Sequence, residues 1–423
     1  MSSQEPEETS DGVSRRRFFG AGAAVSAAGA LAVGAVGGVA AANALRSEQK
    51  PAPPISELRY PFYDAHQAGI ATPPQDHLVF MSFDFTTASV TDVQLVLAKW
   101  SAAMAQMCGG EAIGSAEPAR EQAVPVDTGE AIGMGPQGLT LTLGFGPSLF
   151  DERFGLAKFK PKLLKDLPAM AGESLDPAYV GGDLCIQACA YDPQVAYHAV
   201  RNLARMARTQ VKTRWTVLGF GRASAGANQS TPRNLMGFKD GTRNITSSED
   251  LAEHVWVKDS DQAWMDGGSY LVARKIHMLI ETWDADYIGD QHAVFGRTKV
   301  EGAPLTGKAE HDVPDFTAKG ADQQPVIAPD SHIALAAHEN NGGVKLLRRG
   351  YNFTDGIDSV GRLDAGLFFL SFQKDPQQFI ALQSKLGASD RLNEYIRHVG
   401  SALFAVPRGL PEAGKYFGQE FFK

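Results

Sequence analysis

Two segments of this chain repeat one design. DLCIQACAYDPQVAYHAVRNLARM (183–206) carries an apolar strand through an Asp-Pro step into a helical pattern. GLFFLSFQKDPQQFIALQSKL (366–386) does the same. Asp is suited to the helix cap and Pro to the first helical position, where no intrahelical N–H bond is lost. A strand–cap–helix unit that recurs so far along the chain constrains the fold to two copies of one architecture.

The surrounding segments fill out each copy. HLVFMSFDF (77–85) reads as a strand. In SVTDVQLVLAKWSAAMAQM, the residues Val93, Val96, Leu97, Trp100, Met104 and Met107 recur at helical spacing. GLTLTLGFG (138–146) and RWTVLGFGR are further strands, with a Gly-, Pro- and charge-rich loop over 109–137. The resulting order, β-α-β-β-α-β, is a ferredoxin-like split unit. In the second copy SYLVARKIHMLIETW (269–283) reads as a long strand and ADYIGDQHAVFGR as a helix. HIALAAH and KLLRRGYNF then flank a turn, and SALFAVPRG (401–409) closes the unit. The expected fold class is therefore α+β with two ferredoxin-like domains, over 57–225 and 226–423. Their sheets could pack face to face, which the order of elements does not decide.

The N-terminus reads as a targeting segment, not as fold. Ser14-Arg15-Arg16-Arg17-Phe18-Phe19 precedes a long Ala- and Gly-rich apolar run, and Ala42-Asn43-Ala44 suits a signal peptidase. The paired arginines point to twin-arginine (Tat) export. Residues 1–44 are thus expected to be a signal peptide and 45–56 a linker. Export through the Tat machinery would place the mature chain in the periplasm, outside the cell or at the cell envelope, with no stable membrane span after cleavage. Because that route carries folded proteins, a cofactor is favoured.

The formal net charge of −8 argues against a nucleic-acid partner. The three cysteines, Cys108, Cys185 and Cys189, allow at most one disulfide and no four-cysteine metal set. GFGPSLF and GFGRASAGA hold GxG pairs, but neither has the GxGxxG spacing at the mouth of a helix, and no P-loop, G-x-S-x-G or H-E-x-x-H occurs.

Two stretches carry plausible chemistry. In MGFKDGTRN (236–244), Gly237 and Gly241 bracket Asp240 in a tight-turn composition. A carboxylate pinned there could accept a proton and return it; equally, it could make a local Asx turn in a solvated loop. In DSHIALAAHENNGGVKLLRRG (330–350), His332 and His338 stand six apart, ahead of the Arg348-Arg349 pair. The two histidines share a face only if the segment is extended. One histidine alone still suffices as an axial haem ligand, with its other ring nitrogen on a carboxylate or carbonyl.

Together with YPFYDAHQAGI, LTLGFGPSLF and the closing DRLNEYIRHVGSALFAVPRG, these motifs, in this order over 55–423, resemble the dye-decolorizing peroxidase family. The leader and HQAGI look most like its exported branch, which includes the deferrochelatase/peroxidase proteins. The resemblance implies haem b (iron protoporphyrin IX) held mainly by the second domain. It implies His332 as the proximal iron ligand, Asp390 as the carboxylate behind it, Asp240 as the distal acid–base and Arg348 as the distal arginine. Arg349 would bind a haem propionate or another carboxylate. The implied reaction reduces hydrogen peroxide while oxidising a small dye-like or phenolic one-electron donor. The alternatives are iron release from haem, alongside iron-uptake partners, and a non-catalytic haem carrier. Bulky donors would react at a surface aromatic residue, with Trp256, Trp264 and Tyr351 as candidates.

Overall fold

The computed structural model describes residues 53–422. The expected signal peptide and residues 45–52 of the expected linker lie outside the described residues. The first copy of the repeated unit runs β1 (His77–Phe85), α1 (Val90–Cys108), β2 (Thr140–Phe145), β3 (Leu184–Ala190), α2 (Pro193–Met206) and β4 (Val211–Phe220). Its strands stand in the order β2-β3-β1-β4, all antiparallel. After α3 (Ser248–His254), the second copy starts at β5 (Ser269–Met278). It continues through α4 (Ile280–Asp284), α5 (Ile288–Phe295), α6 (His332–Ala336), β6 (Leu347–Arg348) and β7 (Tyr351–Ile357). It ends with β8 (Leu363–Gln373), α7 (Pro376–Ser389) and β9 (Ile396–Val406). Here the order is β9-β5-β8-β7, with the two-residue β6 also laid on β8. The α+β reading with two ferredoxin-like units holds.

The two sheets face each other and also join along both edges. Phe145 of β2 pairs with Ala405 of β9, while Gly219 and Phe220 of β4 pair with Phe353 and Asn352 of β7. Eight strands therefore form a closed ring. Its interior is packed with Leu78, Phe80, Trp215, Leu271, Phe368 and Phe404. Each such side chain removed from water contributes about 1.5–3 kcal/mol. Cys185 and Cys189, four apart on β3, both enter this core; all three cysteines are free and buried.

The caps form as the sequence indicates. The Asp192 side chain accepts from the N–H of Gln194 and Val195, and Asp375 does the same for Gln377, with Pro following in each case. Gln378 returns a bond to the Asp375 backbone, completing a capping box. The apolar face of α1 (Val93, Val96, Leu97, Trp100, Met104, Met107) is buried, and the Trp100 indole donates to Leu203 O at 2.9 Å, tying α1 to α2.

One expectation needs correction: the strand read over 269–283 stops at Met278, where the chain turns into α4. HIALAAH, whose conformation the sequence left open, forms α6, followed by a short 3-10 turn from His338. The segment between β5 and β6 stands where the first copy has only α1 and its loop. It carries α4, α5 and α6, and with α7 it covers the outer face of β5 and β8.

Candidate functional site

Between that outer face and the covering helices lies a cavity of about 1670 Å³, counting its open mouth. Ile276 and Met278 of β5, Leu367 and Phe369 of β8, and Leu382 and Leu386 of α7 make much of its wall apolar. Its polar groups come from separate parts of the chain.

His332 is the first residue of α6. Its Nδ1 lies 2.7 Å from Oδ2 of Asp390, the residue that ends α7. The other Asp390 oxygen accepts from Leu392 N at 2.9 Å, so the carboxylate is fixed by the turn that follows it. A second link runs alongside: Arg391 N donates to Asp330 O at 3.1 Å, and its guanidinium meets the Asp330 carboxylate at 2.8 Å. The Nδ1 bond leaves Nε2 as the ring nitrogen available to the cavity. Burial works to lower the His332 pKa; the Asp390 carboxylate overrides it and holds the ring above its ordinary value. Asp240 adds to this and Arg348 opposes it, so these charges reach His332.

Asp240 sits on the glycine-bracketed turn. Gly241 has φ +99°, and a Cβ there would fall 2.5 Å from Ala225 N, so both conformation and space require glycine. Asp240 Oδ1 accepts from Arg348 at 2.8 Å, and Arg348 also donates to Thr242 O at 3.0 Å. Asn244 clasps the Arg348 backbone through both halves of its amide. Asp240, Arg348, His332 and Asp390 all line the one cavity.

Arg349 is not brought to it. Neighbouring residues of an extended strand point to opposite faces, so where Arg348 faces the cavity, Arg349 enters the barrel. There it is 1 % exposed and donates to Thr72 O and Gln75 Oε1. Its expected role against a propionate or carboxylate is withdrawn on that geometry. His338 lies at the cavity edge, 3.4 Å from Glu339 and beside Arg243. Trp256, Trp264 and Tyr351 are all buried, so none is a surface aromatic.

Two further arginines add cationic charge to the wall: Arg243, which follows Asp240 in the GFKDGTRN turn and is within reach in the sequence, and Arg297, which escaped the sequence reading. Burial pushes the Arg297 guanidinium down to about 10, and Arg243 and Arg348 push the same way, against Glu310. At the inner end, Arg274 meets Glu173 at 2.5 Å and Ser401 at 2.7 Å, and His398 is pushed down to about 3 by burial and Arg274. No motif marks Arg274 or Arg297; with His398, from the closing DRLNEYIRHVGSALFAVPRG, they converge only through the fold.

Comparison with known proteins gives two adjoining matches. Residues 67–221 match the N-terminal model of the Dyp-type peroxidases and 231–410 the C-terminal one. A protein of Escherichia coli K12 named Deferrochelatase is 35 % identical over 424 residues, covering 97 % of each chain. Among solved structures, a DyP-type peroxidase of Streptomyces coelicolor superposes with a TM-score of 0.80 at 36 % identity, covering 87 % of this chain and 99 % of that one. Ferric DtpA of Streptomyces lividans superposes with a TM-score of 0.79 at 37 % identity over the same shares.

Proposed function

The chain belongs to the Dyp-type peroxidase family, and from that premise we propose that its large cavity seats haem b and that His332 is the iron ligand. The protein is then a peroxidase that reduces hydrogen peroxide at the expense of a small one-electron donor. The observation that carries the assignment is the His332–Asp390 pair: a cavity-facing imidazole whose far nitrogen is held by a fixed carboxylate. That is the arrangement metal-ligating histidines use to fix their tautomer and raise their basicity.

The residues present fit the group. The broad apolar wall suits a macrocycle, and the Arg297 guanidinium, pushed down by burial and by Arg243, would be relieved by its carboxylates, whereas Arg243 already meets Glu339 at 2.5 Å. When bound, haem supplies the iron at which peroxide is reduced and from which donors are oxidised. The chain's own part is proton handling and orientation. Asp240 takes a proton from one peroxide oxygen and returns it to the other. Arg348, fixed by Asp240, Thr242 and Asn244, steadies the negative charge that develops as the O–O bond breaks. Met278, Leu367 and Phe369 keep the surroundings apolar, which strengthens both effects.

The test is a spectrum of the purified chain after haem reconstitution, followed by peroxide and a phenolic donor. A Soret band and donor oxidation are expected, with the band weakened or lost in His332→Ala and retained in Asp240→Ala. No band in the wild type overturns the assignment.

The name of the Escherichia coli relative favours a second reading at the same cavity, iron release from haem. It is separated by product: free iron with intact porphyrin instead of oxidised donor. We also propose that the twin-arginine leader exports the chain to the periplasm or cell envelope. Arg15→Lys with Arg16→Lys should retain it in the cytoplasm on fractionation. Among the described residues no helix is long and apolar enough to cross a membrane.

A further inference from the structure

Arg349 takes no part in the proposed chemistry, yet it is a fully desolvated charge. A guanidinium keeps its proton at any pH a folded protein meets, and a buried charge needs an opposite charge beside it. Arg349 has none. Thr72 O and Gln75 Oε1, which accept from it, are neutral, the Cys189 thiol is also within hydrogen-bond reach, and its Nε has no oxygen or nitrogen partner. Among the described residues no carboxylate oxygen lies within 4.0 Å of its nitrogens. The ionisable groups that face it are Tyr351, Cys189 and Tyr60. Burial raises both phenols, so they stay neutral. The nearby Arg222 is already matched by Asp76 at 2.8 Å.

Arg349 also lines a second cavity, separate from the large one and about 350 Å³ counting its opening. Thr72, Asn244 and Thr246 are among the polar residues of its wall, Ile70 and Leu347 among the apolar ones, and no acidic residue borders it. An uncompensated buried cation and a small, acid-free cavity thus occur together.

We propose that this second cavity is a binding site for a small monovalent anion of the halide class, which neutralises Arg349. One guanidinium without a carboxylate calls for one negative charge. The small space and the Thr72 and Thr246 hydroxyls suit a compact ion over an organic acid. The site is independent of the peroxidase reading, because it involves neither His332 nor Asp240. Arg348 borders both cavities, so occupancy would brace the strand that carries the distal arginine.

The test uses the full haem-loaded chain prepared in chloride-free gluconate. Chloride then replaces gluconate at constant ionic strength while the melting temperature is followed. A saturable rise is expected in the wild type and its loss in Arg349→Met. Crystals grown with bromide should show one anomalous peak in the cavity beside Arg349. No peak there, or an equal chloride response in Arg349→Met, overturns the proposal. So does a peak without any chloride response in solution, which marks binding at crystal concentration only. If Arg349→Met does not fold, the bromide peak and the wild-type titration decide. An absorbance at 240 nm that is present in wild type and missing in Cys189→Ala overturns it too, since a Cys189 thiolate would then be the counter-ion.

Discussion

The side chain of Asn244 and the backbone of Arg348 form a closed pair: Arg348 N donates to Asn244 Oδ1 at 2.9 Å, and Asn244 Nδ2 donates to Arg348 O at 2.8 Å. The turn that carries Asp240 is thereby tied to the strand that carries its partner arginine. Removing the amide leaves a strand N–H and C=O unmet. Asn244→Ala is expected to cost about 1–3 kcal/mol in urea denaturation and to slow the reaction with peroxide in stopped flow. A normal peroxide rate in a destabilised variant would show that Asp240 and Thr242 alone suffice to place Arg348.

Asp390→Asn keeps an acceptor for Leu392 N but removes the charge behind His332. Haem affinity should fall about 10–100-fold, measured as haem loss to a scavenging protein. Unchanged loss kinetics would mean that the Asp390 charge is not what holds the ligand.

Asp240 and Arg348 meet at 2.8 Å, so their contributions should not add. In a cycle of Asp240→Asn, Arg348→Leu and the double variant, the double should lose less than the sum of the singles in peroxide rate. The expected coupling is about 0.5–3 kcal/mol. Strict additivity would place the two residues in separate steps.

The raised His332 pKa has two consequences of opposite sign. In the haem-free chain the protonated His332–Asp390 pair stabilises the fold fully below the ordinary value of 6.5, and this is lost as pH rises through the raised value. Haem needs the neutral ring, so its apparent affinity should fall about tenfold per pH unit below the raised pKa. Haem titrations from pH 5 to 8 check this, and a flat affinity would refute it.

A buried pair far from the cavity contributes to acid stability. Burial works to raise the Asp127 pKa; His198 at 2.9 Å and the N–H groups of Gly129 and Ile113 override it and hold the carboxyl below its ordinary value. The folded value is the lower one, so this stability is present above about pH 4 and is lost as pH falls through the folded pKa. Asp127→Asn should cost about 1–3 kcal/mol at pH 7, with the gap to wild type closing below pH 4. Parallel melting curves across pH 3–7 would contradict that.

Much of the fold was legible because it rests on local rules. The Asp-Pro caps and the helical spacing of α1 are short-range, and the repeat made the second unit visible from the first. The closed ring was not legible, since the Phe145–Ala405 and Phe220–Asn352 pairings both cross between the two units and join residues more than a hundred positions apart. At the site, Asp240 announced itself through Gly237 and Gly241, and His332, Asp390 and Arg348 came from resemblance. Arg297 and Arg274 carry no local signal at all. Arg349 was misassigned, although the period of two along a strand, applied to Leu347-Arg348-Arg349, would have sent it inward.

Ring closure also bears on how the protein behaves in a crowd. An open sheet ends in strands whose free N–H and C=O groups can recruit another chain. Here each of the eight ring strands has a neighbour on both sides, and the ninth, Leu347–Arg348, is two residues long. The seams are short, with one residue pair between β2 and β9 and two between β4 and β7, so the stretch 211–218 of β4 is the backbone left to template edge-to-edge contact, and shared β-structure between native copies should start there.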